Sequence, residues 1–213
     1  MADEQLILLG EKNFYSPYVF SCFVALTEKG LPFEVRTFDL FAGEHRKGDY
    51  GARSITGRVP SLQHGDLWLA ESSAIDEYLE EVFPPPRHAR LYPERPADRA
   101  RARQLQAWVR SDLAPVREER PTSSVFMRDA VKPLTPAGRE AADRLVRAAE
   151  ALLPQGAAWL FGDFGIADAD LAMMLQRLVA NGDPVPARLG DYARRVWERP
   201  SVKAWRARSP RPR

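Results

Sequence analysis

Between Gly57 and Phe83 the chain reads GRVPSLQHGDLWLAESSAIDEYLEEVF. Two short apolar runs flank Gly65-Asp66, and that spacing predicts a β-hairpin. "SSAIDEYLEEVF" then places Ile75, Tyr78, Leu79 and Val82 at helical spacing, and three prolines end the run. Upstream, "QLILLG" predicts a strand over residues 5–9. Pro17 to Lys29 predicts a helix, stopped by Gly30 with Pro32 just beyond. "FEVRTFDL" alternates as a strand, and the polar, glycine-rich "GEHRKGDYGARSITG" reads as loop with a weak helix. The order is β-α-β-α-β-β-α.

Downstream there is no strand pattern. Pro84 to Asp98 carries five prolines and no periodicity. The chain therefore divides into residues 1–84, a proline-rich linker over 85–98, and an all-helical part over 99–213. "PADRARARQLQAWVRSDL" sets Leu105, Trp108, Val109 and Leu113 on one face, with Trp108 expected in the core, and Pro115 should kink or end that helix. Thr135-Pro136 forms an N-cap and first-turn pair before "GREAADRLVRAAEALL". "IADADLAMMLQRLVA" is apolar enough for a central helix, closed by Asn181-Gly182, and two shorter helices follow.

The 213 residues carry a formal net charge of only +2 and ample apolar content. That speaks against a disordered chain and against a protein built mainly to hold nucleic acid. Cys22 is the single cysteine, so no internal disulfide can form and a reducing compartment, the cytoplasm, is the natural setting. No apolar run is long enough to span a bilayer, and the acidic "MADEQ" start lacks the basic region of a signal peptide. No His/Cys/Asp cluster has metal-ligand spacing, and no phosphate loop is present. The basic ending "RARSPRPR" reads as a solvated, frayed terminus, with a nucleic-acid or acidic-surface tail as the rival reading.

The element order, the linker and the helical second half together resemble the cytosolic glutathione transferases, with an N-terminal thioredoxin-like domain and an all-α second domain. "GRVPSL" is similar to the Val-Pro turn before the third strand of thioredoxin-like domains. "LAESSAI" is similar to the opening of the family's third helix, and "IADADL" to a buried helix start in its second domain. The run of "FYSPY", "ESSAI", "RARARQ", "RSDLAPVREERPT" and "DLAMMLQRLV" looks most like the YfcF-type bacterial members. The resemblance implies an enzyme that activates the thiol of glutathione for attack on an electrophile or a peroxide. Glutathione is then a co-substrate, no cofactor is needed, and a homodimer is expected. A non-catalytic binding module is the alternative. Thiol-disulfide exchange is disfavoured, because position 16 is serine and cannot form a mixed disulfide.

Ser16 before Pro17 is a good helix cap whatever the function. The same geometry suits a thiolate, since a helix N-terminus offers orphan N–H groups and positive potential. Tyr15 is the rival donor, expected to pack or point away. Glu71 and Ser72 are implied to hold the γ-glutamyl end, Glu71 taking the ammonium and Ser72 the carboxylate; the plain reading of Ser72 or Ser73 is a helix cap. Val59 before Pro60 is implied to be followed by a cis bond and to pair with the cysteinyl backbone. Arg58, His45 and Lys47 are candidates for the glycine carboxylate, against a solvated loop. Cys22, inside the first helix, reads as a small packed residue. "REERPTSS", Arg117 to Ser124, falls where the family places its electrophile pocket, against a charged, solvated loop.

Overall fold

A computed structural model describes residues 4–209. The chain forms two compact units. Of the described residues, those up to Leu91 together with Ala204–Ser209 make the first, and Tyr92–Lys203 make the second.

In the first unit, β1 (Leu6–Glu11), β2 (Phe33–Phe38), β3 (Ser61–His64) and β4 (Leu67–Ala70) form one sheet in the order β2-β1-β3-β4. The β1 and β2 strands are parallel, while β3 is antiparallel to both β1 and β4. The helices α1 (Pro17–Glu28), α2 (Gly48–Arg53) and α3 (Ser72–Val82) complete the expected β-α-β-α-β-β-α order. The polar stretch before β3 is more structured than its composition suggests. A 3-10 turn, Glu44–Arg46, leads into α2, whose Tyr50 is buried under Phe38 and Trp68.

Every residue of β1 is buried. With a period of two, Leu6, Leu8 and Gly10 share one face, and Ile7 and Leu9 share the other with Tyr50. Gly10 is required by packing, because a Cβ there would stand 2.7 Å from Cγ1 of Val19 on α1. The β1 strand runs to Glu11, beyond the expected residue 9, since two further residues pair with β2. Helix α1 carries a continuous buried run from Val19 to Leu26, and Cys22 lies fully buried within it.

Lys29, which caps α1, is buried. Its Nζ lies 2.7 Å from Oε2 of Glu80 on α3 and donates to the carbonyls of Phe83 and Ala89 at 2.9 Å each. The same Glu80 oxygen accepts the Leu91 N–H at 2.9 Å. One ion pair thus ties the end of α1 to α3 and to the chain leaving the unit.

The second unit holds α4 (Pro96–Ser111), α5 (Ala114–Glu119), α6 (Thr122–Phe126), α7 (Pro136–Leu152), α8 (Ile166–Val179) and α9 (Ala187–Trp197), and then the start of α10 (Pro200–Arg206). Residues Ile166 to Leu178 of α8 are all buried, as a central helix demands. Its two buried aspartates are matched by partners. Asp168 accepts from the N–H groups of Gly165 and Leu160 at 2.9 Å each and from the Tyr192 hydroxyl at 2.7 Å. Burial still pushes the Asp168 carboxyl above its usual range, and the Tyr192 hydroxyl well above its own. Asp170 accepts from Gln106 and Arg110. Thr135 caps α7 by accepting the Gly138 N–H at 3.1 Å.

Three expectations for this part change. Trp108 is only half-buried, because its Nε1 donates to Asp112 at 3.0 Å near the surface. Leu113 is buried but lies outside α4; it takes φ +59° in the break before α5. "REERPTSS" is not a fully solvated loop: it spans the end of α5, a break at Arg120-Pro121 and the start of α6, and its Arg120 is buried in a two-pronged pair with Asp183 at 2.5 and 2.8 Å. Among the described residues no helix is long and apolar enough to cross a membrane, and no group of His, Cys, Asp and Glu is arranged to hold a metal ion.

Candidate active site

The sheet register gathers the candidate residues. Leu9 pairs with Ser61, and Ser61 with Ala70. The end of β1, the start of β3 and the end of β4 therefore lie at one end of the sheet. Ser16 follows β1, Arg58 and Val59 precede β3, and Glu71 and Ser72 follow β4. Helices α1 and α3 both begin at this end, and they touch there through Cys22 Sγ, 3.8 Å from the Ser72 carbonyl.

Ser16 is the N-cap of α1, with Pro17 at the first helical position. Its hydroxyl accepts the Val19 N–H at 3.3 Å, and among the described residues its own proton has no acceptor. A capping serine so placed can donate outward at the positive end of a twelve-residue helix. Tyr15 is half-exposed and its backbone is fixed one residue before the cap.

Glu11 was not singled out from the sequence. It is only 3% exposed, and its carboxylate receives N–H bonds from Asn13 at 2.6 Å, Tyr15 at 2.6 Å and Ser16 at 2.9 Å. Burial pushes its pKa up, while those N–H groups pull it down. The carboxylate takes the place of a strand neighbour for the loop N–H groups, so the turn from Lys12 to Ser16 is folded around it. The signal available in the sequence was an acidic residue closing an apolar strand.

Glu71 has φ +71° and ψ 115°, a backbone region that a residue with a Cβ rarely adopts. Its side chain is exposed and makes no capping bond to α3. Glu71, not a serine, occupies the N-cap position, so the capping alternative for Ser72 and Ser73 fails. Ser72 is buried at the first position of α3, whose opening N–H groups have no partner within the helix.

The Val59–Pro60 bond is cis. Among the described residues neither the N–H nor the C=O of Val59 has a hydrogen-bond partner. The Tyr50 hydroxyl donates to the Arg58 carbonyl at 2.6 Å and lies 3.0 Å from Ser61 Oγ, which fixes the turn. The Arg58 side chain is exposed. His45 departs from the solvated-loop reading. It is buried in the 3-10 turn, and its Nδ1 has no hydrogen-bond partner among the described residues. Lys47 is exposed and borders a cavity of about 560 Å³ on the α2 face of the sheet, with Phe38, Tyr50, Arg53 and Trp68.

Comparison with known proteins agrees with this architecture. Residues 15–82 match the model of the glutathione S-transferase N-terminal domain, and residues 96–211 that of its C-terminal domain. The chain belongs to the glutathione S-transferase family. A solved glutathione transferase homologue from Burkholderia, with glutathione bound, is 42% identical, with a TM-score of 0.78 over 95% of this chain and 96% of its own. Glutathione S-transferase 3 of Zea mays is 31% identical over 200 residues, 89% of this chain and 83% of the relative. Glutathione S-transferase 1 of Dianthus caryophyllus is 49% identical over 61 residues, and the match spans only 28% of its length.

Proposed function

We propose that this glutathione transferase joins the sulfur of glutathione to an electrophile, with Ser16 holding the thiolate and Glu71 and Ser72 holding the γ-glutamyl end. The thiol gives its proton to solvent, and the sulfur forms a bond to the electrophilic atom as the leaving group departs with its electron pair. The observation that carries the reading is Glu71. A strained glutamate whose side chain does nothing for its own helix fits a residue kept for a ligand. The carboxylate suits an ammonium group. The Ser72 hydroxyl and the N-terminus of α3 suit a carboxylate.

The energetics at Ser16 are sufficient. Lowering a thiol pKa from about 8.5 by roughly two units takes about 2.7 kcal/mol. One hydrogen bond to an anion contributes about 1.5–3 kcal/mol and the helix dipole about 0.3–1. The unpartnered backbone groups of Val59 suit the cysteinyl backbone, and the exposed Arg58 and Lys47 suit the glycine carboxylate. Buried His45 is the weaker candidate for that carboxylate. We extend the reading to the YfcF-type subgroup on the motifs quoted above, to a homodimer, and to a cytoplasmic setting.

Ser16→Ala is the test. It should raise the pKa of bound glutathione by about one to two units, since a pKa unit is about 1.36 kcal/mol. It should also cost about 1 kcal/mol of stability through the lost cap. Thiolate absorbance of the complex, titrated against pH, measures the first. Coincident titrations of wild type and Ser16→Ala, with only stability lost, would leave the serine a cap.

A further inference from the structure

The peptide between Phe14 and Tyr15 is gripped at both ends. Its N–H, from Tyr15, donates to Glu11 Oε1 at 2.6 Å. Its C=O, from Phe14, accepts the Ser209 hydroxyl at 2.6 Å, a contact across 195 residues. The next N–H, that of Ser16, shares the same Glu11 oxygen at 2.9 Å. Phe14 itself sits at φ +51°, a strained conformation for a bulky residue, which persists only where the surroundings enforce it.

The ring of Phe14 is held by the same C-terminal segment. Trp205 is fully buried and meets Phe14, Phe20 and Phe23 edge-on at centroid distances of 5.3, 5.9 and 5.4 Å. The Arg208 guanidinium lies over Phe14 at 6.0 Å and over Phe23 at 5.2 Å. The ending read as a solvated tail is therefore docked as far as Ser209; residues 210–213 lie outside the described residues.

We infer that Ser209, with Arg208 and Trp205, is a positioning residue for thiol activation. By fixing the Phe14–Tyr15 peptide from outside, while Glu11 fixes it from inside, it sets the direction in which the Ser16 hydroxyl donates. Glu11 supplies local closure of the turn. Ser209 supplies what a local contact cannot, a restraint on the carbonyl side of the peptide plane. Without it the Phe14–Tyr15 peptide can rotate about its flanking bonds and carry the next residue, Ser16, with it. The inference rests on the role proposed for Ser16.

The experiment uses the full-length chain with Ser209→Ala, Ser209→Thr, Arg208→Ala and Ser16→Ala. Each is read by thiolate absorbance of the glutathione complex against pH, by glutathione affinity, and by turnover of 1-chloro-2,4-dinitrobenzene. Ser209→Ala should lower kcat about 2- to 10-fold, the range of one hydrogen bond. It should move the bound thiol pKa upward and leave glutathione affinity within about twofold. Ser209→Thr, which keeps the hydroxyl, should restore the wild-type titration. Arg208→Ala should move the titration in the same direction as Ser209→Ala. If Ser209→Ala changes only the melting temperature, or if Ser209→Thr fails to restore the titration, the positioning role is overturned. The Ser16 reading is judged separately, by whether Ser16→Ala itself moves the titration. A shift in Ser209→Ala without one in Ser16→Ala would overturn the positioning of Ser16 and show that the docked segment acts on the thiol through the N–H groups of the turn instead.

Discussion

Replacing Glu71 with alanine should weaken glutathione binding, by about 2–5 kcal/mol where the bound ligand covers and desolvates the charge pair. The expectation follows from what Glu71 does not do. It makes no capping bond, its side chain is exposed, and its backbone sits at φ +71°. A side chain kept for the fold would be packed or bonded, and its conformation would be relaxed. Glu71→Gly separates the two roles further. Glycine tolerates the backbone that glutamate strains, so stability should hold or rise while glutathione binding is lost. Ser72→Ala should weaken binding as well, through the lost hydroxyl. Isothermal calorimetry measures the affinity and thermal denaturation the stability. Unchanged affinity in both Glu71→Ala and Ser72→Ala would remove the γ-glutamyl assignment.

The largest effect on stability should come from the buried pair of Lys29 and Glu80. The Lys29 side chain is fully buried and that of Glu80 is 8% exposed. Lys29→Met removes the cation from Glu80 and takes the donor from the carbonyls of Phe83 and Ala89. Glu80→Leu leaves the ammonium buried and strips the Leu91 N–H of its acceptor. Each single change should cost about 3–5 kcal/mol, because an unpaired charge stays behind in a dry site. The double variant Lys29→Met/Glu80→Leu should recover part of that loss, since an apolar pair of similar volume avoids the desolvation cost. Urea denaturation of the four proteins completes the cycle. Single variants within about 0.5 kcal/mol of wild type, the range of ordinary surface substitutions, would contradict the assignment.

What could be read in the sequence was what is local. Ser16-Pro17, Thr135-Pro136, Gly30 and Gly65-Asp66 act within a turn of themselves, and each stands where its chemistry placed it. The apolar periods of α1 and α8 were visible for the same reason. What could not be read was long-range or concerned unusual backbone. Lys29 and Glu80 are 51 residues apart, and nothing near either one names the other. Glu11 looks like a strand end until the turn folds its donors back over it, with Phe14 at positive φ. The C-terminal segment looked solvated because Arg206, Ala207 and Arg208 are indeed exposed, while Trp205 and Ser209 face inward. Helical spacing reports a shared face and says nothing of depth, so it places Trp108 with the core residues; Asp112, one turn on, draws its indole N–H towards water.

A crystal structure of the full chain with glutathione bound tests the central claim most directly. The account predicts the glutathione sulfur within hydrogen-bond distance of Ser16 Oγ, the γ-glutamyl ammonium on Glu71, its carboxylate on Ser72 and the opening of α3, and the cysteinyl backbone paired with Val59. A sulfur directed at the Tyr15 hydroxyl, or a γ-glutamyl group that does not touch Glu71, would contradict it.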